Sequence, residues 1–396
     1  MTRNHPPIYL DHQATTPCDP RVLADMLPWF TEKFGNPGSV THIYGREAAD
    51  AVEHARAQLA HLVGAEPREI VFTSGATEAN NLAVKGAAHF HRPLGKDHVV
   101  TLATEHKCVL ESCRVLEAEG FRVTYLPVEP NGLLDLARLA AALDERTALV
   151  SVMAAHNEIG VIQPLEEIAS LCRARGALLH SDAAQAAGKI PLDVNGLGVD
   201  LMSISGHKMY GPKGIGALYV RRRPRARVTP LFDGGGQERG LRSGTLPTPL
   251  CVGIGAAAAI AEAALAADAD RLLGLRRRFL AGIRARVPDA VLNGDAERRL
   301  PGNLNLSFPG IPAPDLMAAC PALALSSGSA CTAAEIEPSY VLRALGLPDD
   351  LAAASIRIGL GRGNTEEEVD FAIETIAAAV RRLARGGLKN AVSGAT

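Results

Sequence analysis

The sequence predicts an α/β protein in which a mostly parallel central sheet is joined to a smaller α+β domain. Short apolar runs with the composition of buried strands alternate with segments of helical spacing. This alternation is typical of parallel sheets covered by helices on both faces. At 396 residues the chain is longer than one compact core usually holds, so two domains are expected. The predicted sheet strands begin at Val99, Arg122, Ala148, Ala177, Leu201 and Ile215.

The second domain is predicted from the segments that follow the last of these strands. An alanine-rich stretch over residues 252–287 indicates a helix that leaves the first domain. Apolar runs at 303–308 and 356–360 then indicate two more strands, and 366–385 has helical spacing. We therefore assign residues 16–265 to the large domain, and residues 1–15 and 266–396 to the small domain.

Composition and charge exclude several classes of function. With 47% hydrophobic residues the chain can fill a core, and its formal net charge of -2 gives no general attraction to nucleic acid or to an anionic membrane. No apolar run approaches the roughly 20 residues that span a bilayer, and the N-terminus lacks the apolar part of a secretory signal. We expect a cytoplasmic protein.

No cluster in the sequence predicts a resident metal or a dinucleotide site. The seven cysteines are scattered without a Cys-x-x-Cys pair, and His89, His91 and His98 are separated by loop residues. The glycines from Gly253 match a dinucleotide fingerprint by letter but lie within the alanine-rich helix, where helix packing explains them. The basic run from Arg221 to Arg227 reads as a solvated strand exit, although it could dock an acidic partner.

Lys208 stands on a turn that suits a covalently bound cofactor. The segment Ser205-Gly-His207-Lys208 follows an apolar run and precedes the glycine-rich residues 211–216. A lysine held there can form a Schiff base with an aldehyde cofactor, while the Ser205 hydroxyl and the His207 imidazole bind its phosphate. Taken alone, the motif favours a lysine that caps a glycine-rich turn, because short motifs recur by chance.

Two upstream segments change that balance. The apolar run 178–181 ends at Asp182, and pyridoxal 5'-phosphate requires a carboxylate at its ring nitrogen. The run 69–73 leads through small residues into a helix at Ala76 and Thr77, whose N–H groups and hydroxyl can hold a phosphate. An ordinary helix N-cap is the alternative for this turn. Three such segments in this order favour the cofactor site.

These motifs and others along nearly the whole chain resemble the cysteine desulfurases of the IscS/NifS type. That family belongs to the class V aminotransferase group of fold type I pyridoxal phosphate enzymes. The loop Ser-Gly-Ser-Ala-Cys331-Thr further resembles the desulfurases with a long catalytic loop. The remaining matching segments are Tyr9-Leu-Asp11, Ala14-Thr-Thr-Pro17, Phe34-Gly-Asn-Pro37, Thr104-Glu-His106-Lys, Asn157-Glu-Ile-Gly160, Gly234-Gly-Gly-Gln-Glu-Arg-Gly, Arg242-Ser-Gly-Thr245 and Ser355-Ile-Arg357.

The resemblance implies roles for further residues. His106 is expected to stack on the cofactor ring and to move protons. Asn157 and Gln185 are expected to bond the phenolic oxygen of the cofactor, with Asn157 also near the substrate. Arg357 lies in an otherwise apolar run and needs an anion, which the substrate carboxylate would supply. An internal salt bridge is the alternative for Arg357.

Two further residues are assigned roles beyond cofactor binding. Thr245 resembles the residue that reaches the phosphate site of the neighbouring subunit, which implies a homodimer with shared sites. Cys331 lies in a small, polar segment that indicates an exposed loop and a reactive thiolate, not a buried cysteine. The expected reaction converts L-cysteine to L-alanine and leaves a Cys331 persulfide, which can transiently ligate an iron–sulfur cluster. An iron–sulfur scaffold or a sulfur-carrier protein is the expected acceptor.

The chain departs from the housekeeping desulfurases at a few positions. Asp233 and Gln237 stand where histidines are common, and the C-terminal tail that engages the iron–sulfur scaffold is missing from the pattern. A pyridoxal phosphate aminotransferase, or a selenocysteine or C–S lyase, would use Lys208 and Asp182 without Cys331. A non-catalytic sulfur-relay or scaffold partner is the other alternative, which the intact Lys208 disfavours.

Overall fold

The computed structural model describes residues 6–327 and 338–393. The strands are β1 (Ile8–Tyr9), β2 (Ile70–Thr73), β3 (His98–Leu102), β4 (Arg122–Leu126), β5 (Thr147–Ser151), β6 (Leu178–Asp182), β7 (Leu201–Ser205), β8 (Gly216–Val220), β9 (Val291–Leu292), β10 (Asn303–Ser307), β11 (Leu323–Ala324) and β12 (Ser355–Gly359). The helices are α1 (Pro20–Met26), α2 (Pro28–Thr31), α3 (Ile43–Leu62), α4 (Ala76–His91), α5 (Lys107–Ala118), α6 (Leu136–Ala142), α7 (Leu165–Ala174), α8 (Thr248–Arg286), α9 (Ala313–Ala318), α10 (Tyr340–Ala344), α11 (Asp349–Ala353) and α12 (Glu366–Ser393).

The central sheet has seven strands in the order β2-β8-β7-β6-β5-β3-β4. Strands β4, β3, β5, β6 and β7 pair in parallel, whereas β8 runs antiparallel to β7 and to β2. The predicted α/β class with a mostly parallel sheet is therefore confirmed. The reversal of β8 has a simple cause, because residues 206–215 are too few to form the crossover that a parallel connection needs.

Both faces of the central sheet are covered. Successive residues of each strand point to opposite sides, so each strand contributes side chains to both faces. In the first core, around this sheet, Val71, Val99 and Leu149 pack on one face of the sheet with residues of α4 and α5. Phe72 and Val150, each the next residue along its strand, pack on the other face with residues of α3, α7 and α8. Strands β2, β3, β5, β7 and β8 are buried along their whole length, which is why their sequences are mostly apolar, whereas the edge strand β4 is partly exposed.

A second core lies around the antiparallel sheet β9-β10-β12. Phe279 and Ile283 from the end of α8 pack there with Ile376 of α12. Leu10, directly after β1, belongs to the same core, so segments from opposite ends of the fold contribute to it. This core involves the segments that were assigned to the small domain from the sequence. The boundaries of that domain at residues 15 and 266 stay a prediction.

The sequence was expected to contain no apolar run near the roughly 20 residues that span a bilayer, and helix α8 corrects this expectation. Among the described residues it is the one helix long and apolar enough to cross a membrane. Length and composition are weak grounds for a membrane span, because central helices of soluble proteins share them. In this fold α8 packs against α1 and α3, and Cys251, Ile254 and Ala258 are fully buried in the core.

Candidate active site

A cavity of about 530 Å³ opens at the carboxyl ends of the parallel strands. Segments that follow β2, β3, β5, β6 and β7 all contribute to its wall, which is where ligands bind in open α/β sheets. The predicted site residues that line it are Ala76, Thr77, His106, Asn157, Asp182, Gln185, Ser205, His207, Lys208 and Arg357. Motifs that are far apart in the sequence therefore meet in one place.

Lys208 ends the short 3-10 turn Gly206–Lys208 that follows β7 directly. Its Nζ donates to the main-chain oxygens of Gln13, at 2.8 Å, and Ala14, at 2.6 Å. The Thr16 hydroxyl and main-chain N–H both donate to the carbonyl oxygen of His207, which ties the turn to the N-terminal segment. Carbonyl oxygens of that segment thus hold the amine at the cavity wall.

Asp182 is the last residue of β6 and is buried. Its Oδ2 accepts a hydrogen bond of 2.6 Å from Asn80 Nδ2, and its Oδ1 accepts one of 2.9 Å from the main-chain N–H of Ala184. These two hydrogen bonds fix the orientation of the carboxyl group. Asp182 therefore presents a fixed carboxylate to the cavity.

The turn before α4 forms one end of the cavity. Gly75 adopts a φ of +151°, and a Cβ built there would meet no described atom within 4 Å. The Ser74 N–H donates to Glu78 Oε2, and Arg242 Nε lies 2.8 Å from Glu78 Oε1, so the turn is held from outside. The open backbone before a helix N-terminus is suited to a phosphate.

His207 and Ser205 flank this turn from β7. His207 Nδ1 lies 3.0 Å from the Thr15 hydroxyl. Burial, together with the nearby Lys208 and Lys213, lowers the pKa of His207 to about 4. A neutral imidazole at this position offers one N–H donor and one acceptor instead of a positive charge.

His106 is the N-cap of α5. Its Nδ1 accepts a hydrogen bond of 3.2 Å from the main-chain N–H of Cys108, and Cys108 Sγ lies 3.0 Å from the same nitrogen. The helix cap therefore fixes the ring at the edge of the cavity, independently of any ligand.

Gln185 and Asn157 take different positions in the wall. Gln185 is buried, with Nε2 donating to the Gln13 carbonyl at 2.8 Å and Oε1 accepting from Lys189 Nζ at 3.1 Å. Asn157 contacts Arg357 through its main-chain oxygen, which accepts a hydrogen bond of 3.0 Å from Nη1. Lys189 was not predicted, and burial lowers its pKa to about 7.

Arg357 lies on β12 of the second core and reaches the cavity from that side. Its Nη2 pairs with Asp11 Oδ1 at 2.7 Å. Its Nε is buried and has no hydrogen-bond partner among the described residues. The internal salt bridge considered from the sequence is therefore present, and an N–H group still lacks an acceptor.

Of the predicted residues that the structure describes, Thr245 does not line this cavity within one chain. Thr245 is exposed and lies outside the cavity wall, in the segment that also contains Asp233 and Gln237. Cys331 lies outside the described residues, so its predicted position stays untested. In the described ranges no group of His, Cys, Asp or Glu side chains is arranged to hold a metal ion.

Gln13, Asn80, Cys108 and Lys189 are among the residues at or beside the site that were not predicted from the sequence. Gln13 and Cys108 line the cavity, and Asn80 and Lys189 contact residues that do. Asn80 stands one helical turn after Thr77, and Lys189 one turn after Gln185, so helical spacing from a predicted residue was the available signal.

The residues present fit pyridoxal 5'-phosphate. A lysine, a carboxylate and an open helix N-terminus are the groups that its aldehyde, ring nitrogen and phosphate require. Gln13 Oε1 is buried beside the cavity without a partner among the described residues, so the wall has an unused acceptor. This donor and acceptor set suits a polar, anionic ligand.

Comparisons with known proteins agree with this site. Residues 8–371 match the class V aminotransferase family. The chain is 58% identical over 377 residues to "Cysteine desulfurase IscS" of Rickettsia felis, an alignment that covers 95% of this chain and 92% of the relative.

Solved structures give the same result. A "NifS-like protein" has a TM-score of 0.88 and 39% identity, covering 95% of this chain and 99% of that one. The structure of "SspA in complex with cysteine" has a TM-score of 0.78 and 38% identity, covering 89% of this chain and 98% of that one. The chain therefore belongs to the class V aminotransferase family, whose fold type I implies a pyridoxal phosphate enzyme, and within that family to the cysteine desulfurases.

Proposed function

We propose that the chain uses pyridoxal 5'-phosphate to remove sulfur from L-cysteine, leaving a persulfide on Cys331 and releasing L-alanine. The observation that carries the proposal is the convergence of Lys208, Asp182 and the first turn of α4 on one cavity. The related SspA is in complex with cysteine, which supports L-cysteine as the substrate here.

The cofactor would be held at three points. Asp182 would keep a proton at the ring nitrogen, Lys208 would carry the aldehyde carbon, and Ala76, Thr77, Ser205 and His207 would bind the phosphate. Bound in this way, the cofactor supplies a carbonyl that captures the substrate amine and a ring that accepts the electron pair of the α-carbon. His106 would cover the ring, and Gln185 and Asn157 would contact its phenolic oxygen.

Lys208 then acts on the substrate. Its amine, held by the Gln13 and Ala14 carbonyls, takes the proton from the substrate α-carbon and can return it later. Arg357 would bind the substrate carboxylate through Nε, which has no hydrogen-bond partner among the described residues, and this contact would fix the α-carbon in position.

Sulfur transfer requires a second nucleophile. The Cys331 thiolate attacks the substrate sulfur, so an S–S bond forms while the Cβ–S bond breaks and its electron pair stays with the carbon. Protonation of that carbon gives L-alanine. The composition of residues 326–334 supports this role, because a small, polar loop keeps a thiol accessible.

We also propose a homodimer in which Thr245 completes the phosphate site of the other subunit. Thr245 is exposed in the single chain, outside the wall of its own cavity. Several large apolar side chains are exposed from the end of α1 to the first turn of α3, which is unusual for a free surface. They are Leu27 (56%), Phe30 (55%), Phe34 (66%), Val40 (71%), Ile43 (54%) and Tyr44 (51%).

An iron–sulfur scaffold or a sulfur-carrier protein is the proposed acceptor, in the cytoplasm. A basic groove of about 580 Å³, which contains Arg68, Arg239 and most of the run from Arg222 to Arg227, supports docking of an acidic protein. Arg221 also lines this groove, but it is buried and donates to the Val199 carbonyl, so it holds the strand exit.

The proposed reaction is tested by determining where the sulfur of L-cysteine is transferred. Mass spectrometry after L-cysteine treatment should find one added sulfur on Cys331. Cys331→Ser should keep the absorption of the bound cofactor and its change with L-cysteine, yet lose alanine production, because a hydroxyl is a far weaker nucleophile than a thiolate. Cys18→Ser, which removes a half-buried thiol outside the cavity, is the control. Release of sulfide and alanine by Cys331→Ser at the parent rate would establish the lyase alternative.

A further inference from the structure

A hydrogen-bonded path joins Asp182 to His106 through two residues that have no role in the proposed function. Asn80 Nδ2 lies 2.6 Å from Asp182 Oδ2 and 3.1 Å from Cys108 Sγ. Cys108 Sγ in turn lies 3.0 Å from His106 Nδ1. One side-chain amide and one thiol thus connect the two groups that would contact the cofactor ring.

The amide of Asn80 can serve both neighbours in one orientation. Its side chain is fully buried, and the two hydrogens on Nδ2 allow one bond to Asp182 and one to Cys108. The reversed orientation would place Oδ1 against the Asp182 carboxylate, where two acceptors repel. The carboxylate therefore determines which end of the amide faces Cys108.

Cys108 makes two contacts with the same nitrogen of His106, one through its main-chain N–H and one through Sγ. Its main-chain N–H can only donate, and it donates to Nδ1 at 3.2 Å. Nδ1 therefore carries no hydrogen in the neutral ring, and the hydrogen is on Nε2. Because Sγ accepts from Asn80, its own hydrogen is directed to Nδ1, and successive bonds of this kind strengthen one another.

We propose that Asn80 and Cys108 are positioning residues of the desulfurase, which hold His106 in its Nε2–H tautomer and fix the Asp182 carboxylate through one shared amide. The inference rests on the proposed roles of His106 and Asp182. It adds that both groups are oriented together, before any ligand binds, by residues of α4 and α5.

The test uses the holoenzyme with ring-¹⁵N-labelled histidine, with the His106 signals identified by their loss in His106→Gln. The parent should show the Nε2–H tautomer, and Cys108→Ala should show a mixture of tautomers. Loss of one hydrogen bond should lower kcat about fivefold with little change in the KM for L-cysteine. Cys108→Ser should restore both, because a hydroxyl can accept from Asn80 and donate to Nδ1.

Cys113→Ala is the matched control, since Cys113 is a buried core residue of the same helix and should leave the His106 signals unchanged. Asn80→Leu removes the amide at similar volume and should weaken cofactor affinity as well as disturb the tautomer. An unchanged His106 tautomer in Cys108→Ala overturns the proposal, as does a Cys108→Ser variant that behaves like Cys108→Ala.

The activity of His106→Gln separates this inference from the function on which it rests. Full activity in that variant would refute the role of His106 in the reaction. The tautomer signals of the Cys108 variants would still decide whether Cys108 orients the ring.

Discussion

Arg357 Nη2 lies 2.7 Å from Asp11 Oδ1, so the arginine predicted to bind the substrate carboxylate already pairs with a carboxylate of its own chain. The guanidinium is nearly inaccessible, at 2% exposure, whereas Asp11 is 17% exposed. Nη1 donates to the Asn157 carbonyl and Nη2 to Asp11, whereas Nε still lacks an acceptor among the described residues. Internal pairing therefore orients Arg357 for a second anion.

Arg357→Lys should weaken substrate binding. A lysine ammonium keeps the charge but loses the fork that can pair with Asp11 and a substrate carboxylate together. We expect the KM for L-cysteine to rise about tenfold in steady-state assays, with a smaller change in kcat. Arg278→Lys, which alters an exposed ion pair with Asp370, is the control. A KM equal to that of the parent would show that another group binds the carboxylate.

Lys208→Ala should abolish covalent attachment of the cofactor. Borohydride reduction followed by peptide mapping should label Lys208 in the parent and no lysine in the variant. Lys213→Ala is the matched control, because Lys213 also lines the cavity and its loss should leave the label on Lys208. A label on a different lysine in either variant contradicts the assignment.

Mixed dimers should reveal shared sites. If Thr245 serves the neighbouring subunit, a hybrid of one Lys208→Ala subunit and one Thr245→Ala subunit has one site with both lesions and one with neither. Part of the parent activity should then return in hybrids purified with two affinity tags. Hybrids without any recovered activity would place Thr245 in the site of its own chain.

Lys189→Met should change how stability depends on pH. Burial lowers the pKa of Lys189 to about 7, whereas the unfolded chain keeps the ordinary value of 10.5. Between these values the unfolded state binds the extra proton, so the contribution of Lys189 to stability rises with pH. Below pH 7 the buried lysine must be charged in both states, and its cost is fully present.

Urea denaturation of the cofactor-free protein is the measurement. The free energy of unfolding of Lys189→Met, relative to the parent, should be most favourable near pH 6 and decline toward pH 9.5. Lys213→Met, at an exposed lysine, should show no such trend. A difference between Lys189→Met and the parent that is constant over this range would mean that Lys189 is charged throughout.

The sequence predicted most of the site because each motif is local. Lys208 follows its strand directly, Asp182 ends its strand, and Thr77 opens its helix, so strand and helix signals were enough to place them. The role of Asn80 could not be predicted in the same way, because it comes from a contact with Cys108 on another helix. No local pattern states that two side chains share a hydrogen bond.

Three other features could not be predicted from local sequence patterns, because they depend on how distant segments or two copies of the chain are arranged. The direction of β8 follows from the length of the connection before it and not from the composition of the strand. Thr245 lies outside the cavity of its own chain, so its predicted role requires the geometry of a second copy. The pairing of Arg357 with Asp11 depends on the meeting of the first strand region with the last strand.

Helix α8 contributes Cys251 and Ile254 to the first core and Phe279 and Ile283 to the second. Its 39 residues span about 58 Å at 1.5 Å per residue, without an interruption between the two ends. Lys208 follows β7 of the central sheet, whereas Arg357 lies on β12 beside the second core. α8 is therefore one continuous helix that joins the two parts of the fold from which Lys208 and Arg357 reach the cavity.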